Sequence, residues 1–391
     1  MDPARNGYFF HMRAILAAFL LIVCPLLPFL QDAPSDICTK FNKCKESATQ
    51  EKIECPACGK SKISSDFARC SRCATKEKVC SRCGLPKTAA PRKIGTGKIE
   101  DAVKSIEPKN IREYLTYYSS DELEGRCAGY PGNEKAIHYI RDNLKKWGLK
   151  PGNKGEWFQP FKIQDRETRN VVAVIEGSDL KDQYVVAGAH CDHVGKEGQA
   201  NERSRKKNNS APDDKIWNGA DDNGSGTCTM LEIARAIAEG GMKPKRTIVF
   251  VWFNAEEFGL VGANHYADNP VYPLDKTVAM INMDMVGRNP ESPYSVGCSG
   301  NLDQWKALID KANQGVDCPV RVGAGKGDRT DQGAFVAKGL ASAGFFGGMH
   351  PDYHCQSDHV DKIDFNKASK AAKLGTRMIW ELANTPTPPA K

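Results

Sequence analysis

From Ile99 to Asn384, short apolar runs alternate with segments whose apolar residues recur every three or four positions. Few architectures accept that alternation. The runs "VVAVIEG" (171–177), "YVVAGAH" (184–190), "TIVFVWF" (247–253) and "TVAMINMDMV" (277–286) are nearly continuous in apolar residues, as expected of strands covered on both faces. Ile137, Ile140, Leu144 and Trp147 share one helical face, as do Met230, Ile233, Ala234 and Ile237. Trp305, Leu308, Ile309 and Ala312 form a third such face, and Ala371, Leu374, Met378 and Leu382 a fourth. The pattern predicts an α/β domain: a central, mostly parallel mixed sheet with helices on both faces. A hydrophobic content of 40% supplies the core.

In such sheets, ligands gather beyond the carboxyl ends of the strands. The residues just after each apolar run are therefore the candidates for chemistry. His190 and Asp192 come after the second, in "HCDH"; Glu256 and Glu257 come after the third; Asp284 lies within the fourth. Asp221 and Asp222 precede a helix, in "WNGADDNGSG", and a late loop, "GMHPDYHCQSDHVDKI", carries His350, His354 and Asp358. One carboxylate at a strand end marks ordinary exit to solvent. Four acidic stations and a histidine-rich loop on one edge mark a site.

Histidine and carboxylate donors suit zinc or a related divalent ion. Two such ions roughly 3.5–4 Å apart polarise a carbonyl and bring the pKa of a water to about 7. Holding two cations so close requires a bridging carboxylate, and a free carboxylate must take the proton from water. Adjacent residues leaving a strand point in different directions. One of Glu256 and Glu257 can then bind metal while its neighbour faces the water.

The set "AHCDHVG", "NGADDNGSGT", "FNAEEFGLVGA", "NMDMVGR" and "HPDYHCQSDHVDKI" resembles the zinc aminopeptidase family with two co-catalytic metals. That family shares a clan with glutamate carboxypeptidase and the transferrin receptor ectodomain. The segment 115–152 is similar too, and the resemblance covers roughly 99–384. It implies the zinc exopeptidase fold and two Zn2+, or related divalent metals, in the catalytic site. Carried over by motif, it implies His190 as the first histidine ligand and Asp192 as the aspartate that orients it from behind. It implies Asp221 as the bridging carboxylate, Glu256 as general base, and Glu257 as a ligand of the metal opposite His190. Asp284 becomes the second carboxylate on the His190 metal, and His354 the final ligand beside Asp221 and Glu257. Tyr353 becomes the candidate oxyanion donor. No ligand role is implied for His350 or Asp358, and "GDRTDQGAF" (327–335) is similar to the family's substrate-pocket segment.

The implied reaction is hydrolysis of N-terminal peptide bonds by a hydroxide shared between the metals, on peptide substrates with a free N-terminus. Three other functions compete: a glutaminyl-cyclase-like or other amide hydrolase on the same fold, a non-catalytic binding protein, and an adaptor centred on the cysteine-rich segment. The complete ligand set favours the two-metal peptidase. No insertion large enough for a protease-associated domain separates "FQPF" from "NVVAVIEG", which argues against the carboxypeptidase and receptor subtypes. Cys191 and Cys355 lie beside assigned ligands and admit a disulfide or simple packing, packing being preferred. Cys298 and Cys318 are a further candidate bridge.

The rest of the chain divides by composition. "AILAAFLLIVCPLLPFL" (14–30) has no charge and comes after Arg5 and Arg13. Residues 1–33 read as a signal peptide or a membrane anchor. Either places the catalytic domain outside, in an exported, periplasmic or extracellular location. The membrane is engaged through this segment alone. Residues 38–84 form a cysteine-rich, zinc-ribbon-like segment with three C-x-x-C pairs: Cys55 with Cys58, Cys70 with Cys73, and Cys80 with Cys83. Two pairs complete a tetrahedral site, so one or two structural Zn2+ are expected, with a disulfide cluster as the alternative. Cys38 and Cys44 offer a further half-site, and the segment suggests a protein partner. Residues 85–98 read as a linker, 99–384 as the catalytic domain, and 385–391 as a Pro-rich tail. The net charge of +7 is scattered apart from "RSRKK" (203–207), which lacks the stripe that nucleic-acid binding requires.

Overall fold

The computed structural model describes residues 52–54, 62–64 and 95–391, except 208–211, 326 and 328. The chain divides into two compact units, Met1–Arg92 and Lys93–Lys391. In the first, β1 (Lys52–Glu54) and β2 (Lys62–Ser64) pair antiparallel, with Ile53 opposite Ile63. The N-terminal apolar run and most of the expected linker lie outside the described residues. So do the expected structural-zinc ligands Cys55, Cys58, Cys70, Cys73, Cys80 and Cys83, and the half-site Cys38 and Cys44. The zinc-ribbon expectation for 38–84 therefore rests on the spacing of its cysteines alone.

The second unit is built on a nine-stranded sheet. Its strands are β3 (Lys150–Pro151), β4 (Phe158–Ile163), β5 (Arg166–Ile175), β6 (Leu180–His190) and β7 (Arg246–Phe253). They continue with β8 (Thr277–Asp284), β9 (Tyr294–Ser299), β10 (Val320–Ala324) and β11 (Ser342–Phe346). The order is β10-β9-β11-β8-β6-β7-β5-β3, with β4 also on β5. The centre, β11-β8-β6-β7, is parallel. The wings turn antiparallel at β9/β11 and around β5. "Mostly parallel" thus holds for the centre and for the β9/β10 edge, and fails at β9/β11 and around β5. There, β4 alternates buried and exposed residues, as a strand covered on one face does.

Side-chain alternation assigns the two faces. Ile248, Phe250 and Trp252 of β7 join Ala187 and Ala189 of β6 in one core, while Val249, Val251 and Phe253 join Val186 in another. The first core is closed by α1 (Ile99–Lys104), α2 (Pro108–Tyr118), α3 (Pro131–Lys146) and α4 (Gly226–Glu239). The second is closed by α5 (Val261–Asp268), which contributes Tyr266, and α7 (Gln332–Ala337), which contributes Phe335. Helices α6 (Leu302–Asn313) and α8 (Phe365–Asn384) also pack into the first core, through Trp305 and Met378 among others. Phe250 and Trp252 are fully buried, and truncating either to alanine would cost roughly 3–5 kcal/mol.

Local chemistry sets the helix ends. Proline opens α2 and α3, where its missing N–H costs nothing. Asp364 accepts the Asn366 and Lys367 amides at the start of α8, and Asn301 accepts the Gln304 amide at the start of α6. The Pro-rich tail returns to α6: Asn301 N donates to Ala390 O, and Ala390 N to Gln304 Oε1.

Candidate metal centre

The parallel centre brings the chemistry together. His190 ends β6 and Asp284 ends β8, while Glu256 and Glu257 follow β7 and His354 follows β11. His190 pairs in register with Phe253, and Phe346 with Asp284. These strands therefore stop at one level and deliver their next residues to one edge.

The exit from β7 explains the adjacent glutamates. Asn254 is pinned by Asn133, Asn170 and Thr168. Ala255 then adopts a left-handed conformation, with φ 59°. The turn presents the amides of Glu256 and Glu257 to one carboxylate, Asp192, at 3.0 and 3.3 Å. Asp192 stands 3.8 Å from His190 Nδ1, beyond hydrogen-bonding distance. Its hydrogen bonds hold the glutamate turn, where the sequence assigned it to His190.

Two donor groups share one residue. His190, Asp222 and Asp284 form the first; His193, Asp222, Glu257 and His354 form the second. Asp222 Oδ1 lies 3.4 Å from His190 Nε2, and its Oδ2 lies 3.0 Å from His354 Nε2. His190 Nε2 is 3.6 Å from Asp284 Oδ1, and His354 Nε2 is 3.0 Å from Glu257 Oε2. Glu256 Oε2 approaches His190 Nε2 to 3.9 Å.

The bridging assignment therefore shifts by one residue. Asp221 faces away from both groups. Its Oδ1 accepts Ser225 Oγ–H and Gly287 N–H at 2.8 and 2.7 Å, and its Oδ2 is 3.2 Å from His350 Nε2. Asp358 accepts the amides of Asp221 and Asp222 through one oxygen. It sets the loop so that Asp222 alone points inward. Gly226 lets the start of α4 pass β8, since a Cβ there would sit 2.4 Å from Met283 O.

His193, the second histidine of "HCDH", carried no role in the sequence reading, although its proximity to His190 was visible. Asp331, inside the pocket-like segment 327–335, is a second omission. It is fully buried, and neither carboxylate oxygen has a hydrogen-bond partner among the described residues. Tyr353 stacks on His354 with ring centres 3.9 Å apart, and Lys206 Nζ lies 4.7 Å above the Tyr353 ring. The polar loop 195–217 reaches the centre directly. Ser204 O lies 3.0 Å from His354 Nδ1, and Asn201 Nδ2 donates to Glu257 O at 3.1 Å. Cys191, Cys298, Cys318 and Cys355 are all free and buried. The proposed Cys298–Cys318 bridge does not form, and Cys191 and Cys355 are packing residues.

Electrostatics show what this centre demands. Burial pushes Glu256 well above the usual carboxylate range, with Glu257, Asp331 and Asp284 adding to it and His190 opposing. Burial also raises Asp192 to about 7 and Asp331 to about 8. At His354, burial acts downward but Glu257 and Asp222 outweigh it, lifting the imidazole to about 11. A dry edge holding this many carboxylates calls for compensating positive charge. Asp222 Oδ2 and Asp284 Oδ1 are buried without a well-formed hydrogen bond. The donor chemistry, the shared carboxylate and these oxygens all fit a pair of divalent cations.

Comparison with known proteins agrees. The model of peptidase family M28 matches residues 170–378. The chain is 31% identical over 294 residues to aminopeptidase YwaD of Bacillus subtilis, spanning 72% of this chain and 59% of that protein. It is 22% identical over 325 residues to leupeptin-inactivating enzyme 1 of Streptomyces exfoliatus, spanning 78% and 68%. The LapA aminopeptidase of Legionella pneumophila superposes with a TM-score of 0.58 at 22% identity, covering 78% of this chain and 80% of that one; this likeness shows the shared fold. Fold, donor set and family match together define a metallopeptidase. The chain belongs to peptidase family M28.

Proposed function

We propose that the chain is a two-metal aminopeptidase acting on peptides with a free N-terminus. The observation that carries this is Asp222, whose two oxygens face two separate donor groups. Two groups also favour a two-metal peptidase over a one-metal, cyclase-like enzyme. His190, Asp222 and Asp284 would hold one cation; Asp222, Glu257 and His354 would hold the other. The metals supply Lewis acidity at the scissile carbonyl and acidify the attacking water.

The chain's own residues do the rest. Glu256 stands 3.9 Å from His190 Nε2, at the margin of the first group and free of the second. It accepts the proton of the attacking water and returns it to the leaving amine. Asp192 fixes the backbone beneath Glu256 and Glu257, so base and ligand keep their separation. Tyr353, braced by His354 and Lys206, is the group assigned to the developing oxyanion.

The N-terminal segments enter the same reading. The uncharged run 14–30 behind Arg5 and Arg13 supports export, cleaved or anchored. The three C-x-x-C pairs support structural zinc and a protein-binding role for residues 38–84. Zinc per chain with and without residues 1–94 tests the second point.

Activity is tested with paired substrates, an aminoacyl amide and its N-acetylated twin, before and after chelation. Hydrolysis of the free amine form alone, lost on chelation and restored by zinc, is expected. Equal cleavage of both forms would exclude an aminopeptidase, and activity surviving chelation would exclude the metal mechanism.

A further inference from the structure

We propose that His193 is a fourth protein donor in the Glu257–His354 half of the centre, so that the two halves hold metal unequally. This rests on the two-metal reading above and adds a ligand to it.

The geometry is that of a closed donor set. His193 Nδ1 lies 2.9 Å from Glu257 Oε1 and 3.8 Å from Asp222 Oδ2. His354 Nε2 lies 3.0 Å from both Asp222 Oδ2 and Glu257 Oε2. Zinc bonds of roughly 2.0–2.2 Å in a tetrahedron place donors about 3.3–3.6 Å apart. The observed separations straddle that edge length. The His193 and His354 rings meet edge to face at 5.6 Å and 78°, so their nitrogens converge without the rings stacking.

The surroundings hold His193 in that pose. The residue is fully buried. A Cβ at Gly219 would stand 2.3 Å from His193 Cδ2, and Gly219 itself has φ +54°. The ring therefore rests on bare backbone. That backbone is tied in turn by buried Arg126, which donates to the carbonyls of Asn218 and Gly219. The His193 amide donates to Arg126 O. The same half gains Ser204 O behind His354 and the Asn201 side chain on Glu257 O, the outer support that a metal ligand takes.

The His190 half has three donors, His190, Asp222 and Asp284. With a residue fewer, it keeps more open positions. It is the half that loses its metal first and the one better able to admit substrate. A histidine that only hydrogen-bonds Glu257 would leave each half with one imidazole.

The first zinc bound beyond any held by the cysteine pairs, read as the difference between zinc-edge X-ray absorption spectra of the full chain before and after its addition, separates these cases. Imidazole scattering from two rings on that zinc is expected, with one ring lost in His193→Gln. Chelator competition should show two unequal affinities in the parent. The tighter one should weaken in the variant by at least about 10–100-fold, the range seen even for outer partners of a metal. One imidazole on the first zinc, or equal affinities in the parent, would overturn the proposal while leaving two metals in place. A chain that binds no zinc would overturn both readings. The parent spectrum decides even if the variant does not fold.

Discussion

Asp358 accepts the backbone amide of Asp222 at 3.2 Å, through the same oxygen that accepts the Asp221 amide at 2.9 Å. One buried carboxylate thus sets the orientation of two neighbouring aspartates. From that tied backbone, Asp221 faces Ser225, Gly287 and His350, and Asp222 stands between the two histidine groups. One peptide unit separates the acid that lies outside both donor groups from the acid that the two groups share.

Asp221 and Asp222 should therefore respond differently to the same change. Asp222→Asn should lose metal from both halves, weakening affinity by more than about 100-fold, since outer partners alone give roughly 10–100-fold. Asp221→Asn should keep its metals and lose stability, because Ser225 Oγ–H and Gly287 N–H lose their charged acceptor. Metal content after dialysis, read beside thermal unfolding, separates the two. Metal loss confined to Asp221→Asn would reverse the assignment.

Glu256→Gln should lower kcat by about 100- to 10,000-fold, the range for a lost general base, with metal content unchanged. Retained activity would place the base elsewhere. Asp192→Asn should act more mildly, through the glutamate turn it holds. The expected change is roughly 10–100-fold in kcat with KM nearly constant.

Metal uptake should be strongly pH-dependent. Carboxylates hold the metal-free His354 imidazole up at about 11, so at neutral pH a proton occupies the position a metal must take. Loading should release protons, and affinity should fall as pH falls, roughly tenfold per unit for each proton displaced. Calorimetry in buffers of different ionisation enthalpy measures that release. A proton count of zero would contradict it.

The loop 195–217 should act on metal retention. Arg205 donates to the carbonyls of Val194, Lys196 and Gln199, which keeps Ser204 O behind His354. Arg205→Ala should speed zinc release to a chelator by about tenfold or more, with less change in the fold. An unchanged release rate would mean that His354 is held by other contacts.

Acid stability should depend on Asp352. Burial acts upward on this carboxyl, but hydrogen bonds from Lys362, Ser357 and Arg288 outweigh it and hold it well below the usual range. Its stabilisation is complete above the unfolded value of about 3.9 and is lost as pH falls toward the folded value. Asp352→Asn should flatten the acid limb of metal-free unfolding below about pH 4. It should also lower stability at neutral pH, since Arg288 and Lys362 would each lose a charged partner, although Arg288 keeps Asp358 3.7 Å away. An unaltered acid limb would sink this assignment.

Much of this protein was legible in its sequence, for definite reasons. Continuous apolar runs and period-3.6 patterns are properties of the chain itself, so the strands that carry His190 and Asp284 and the helix beginning at Gly226 could be read directly. The carboxyl-end rule then located His190, Glu257, Asp284 and His354. The choice between Asp221 and Asp222 has no such periodicity, because it depends on Asp358, more than a hundred residues away. His193 was passed over because a histidine three residues after another carries no strand or helix signal. Only the bend after β6 turns it inward. The antiparallel wings went unseen because β3 is two residues long and β4 carries Pro160 among alternating polar residues.

Anomalous diffraction at the zinc edge, from crystals of the zinc-loaded chain, tests the central claim most directly. At the carboxyl edge of the sheet, apart from any zinc held by the cysteine pairs, the account predicts two peaks roughly 3.5–4 Å apart, one on each side of Asp222, with Glu257 and His354 at one and His190 and Asp284 at the other. A single peak, or a pair that Asp222 does not separate, would contradict it.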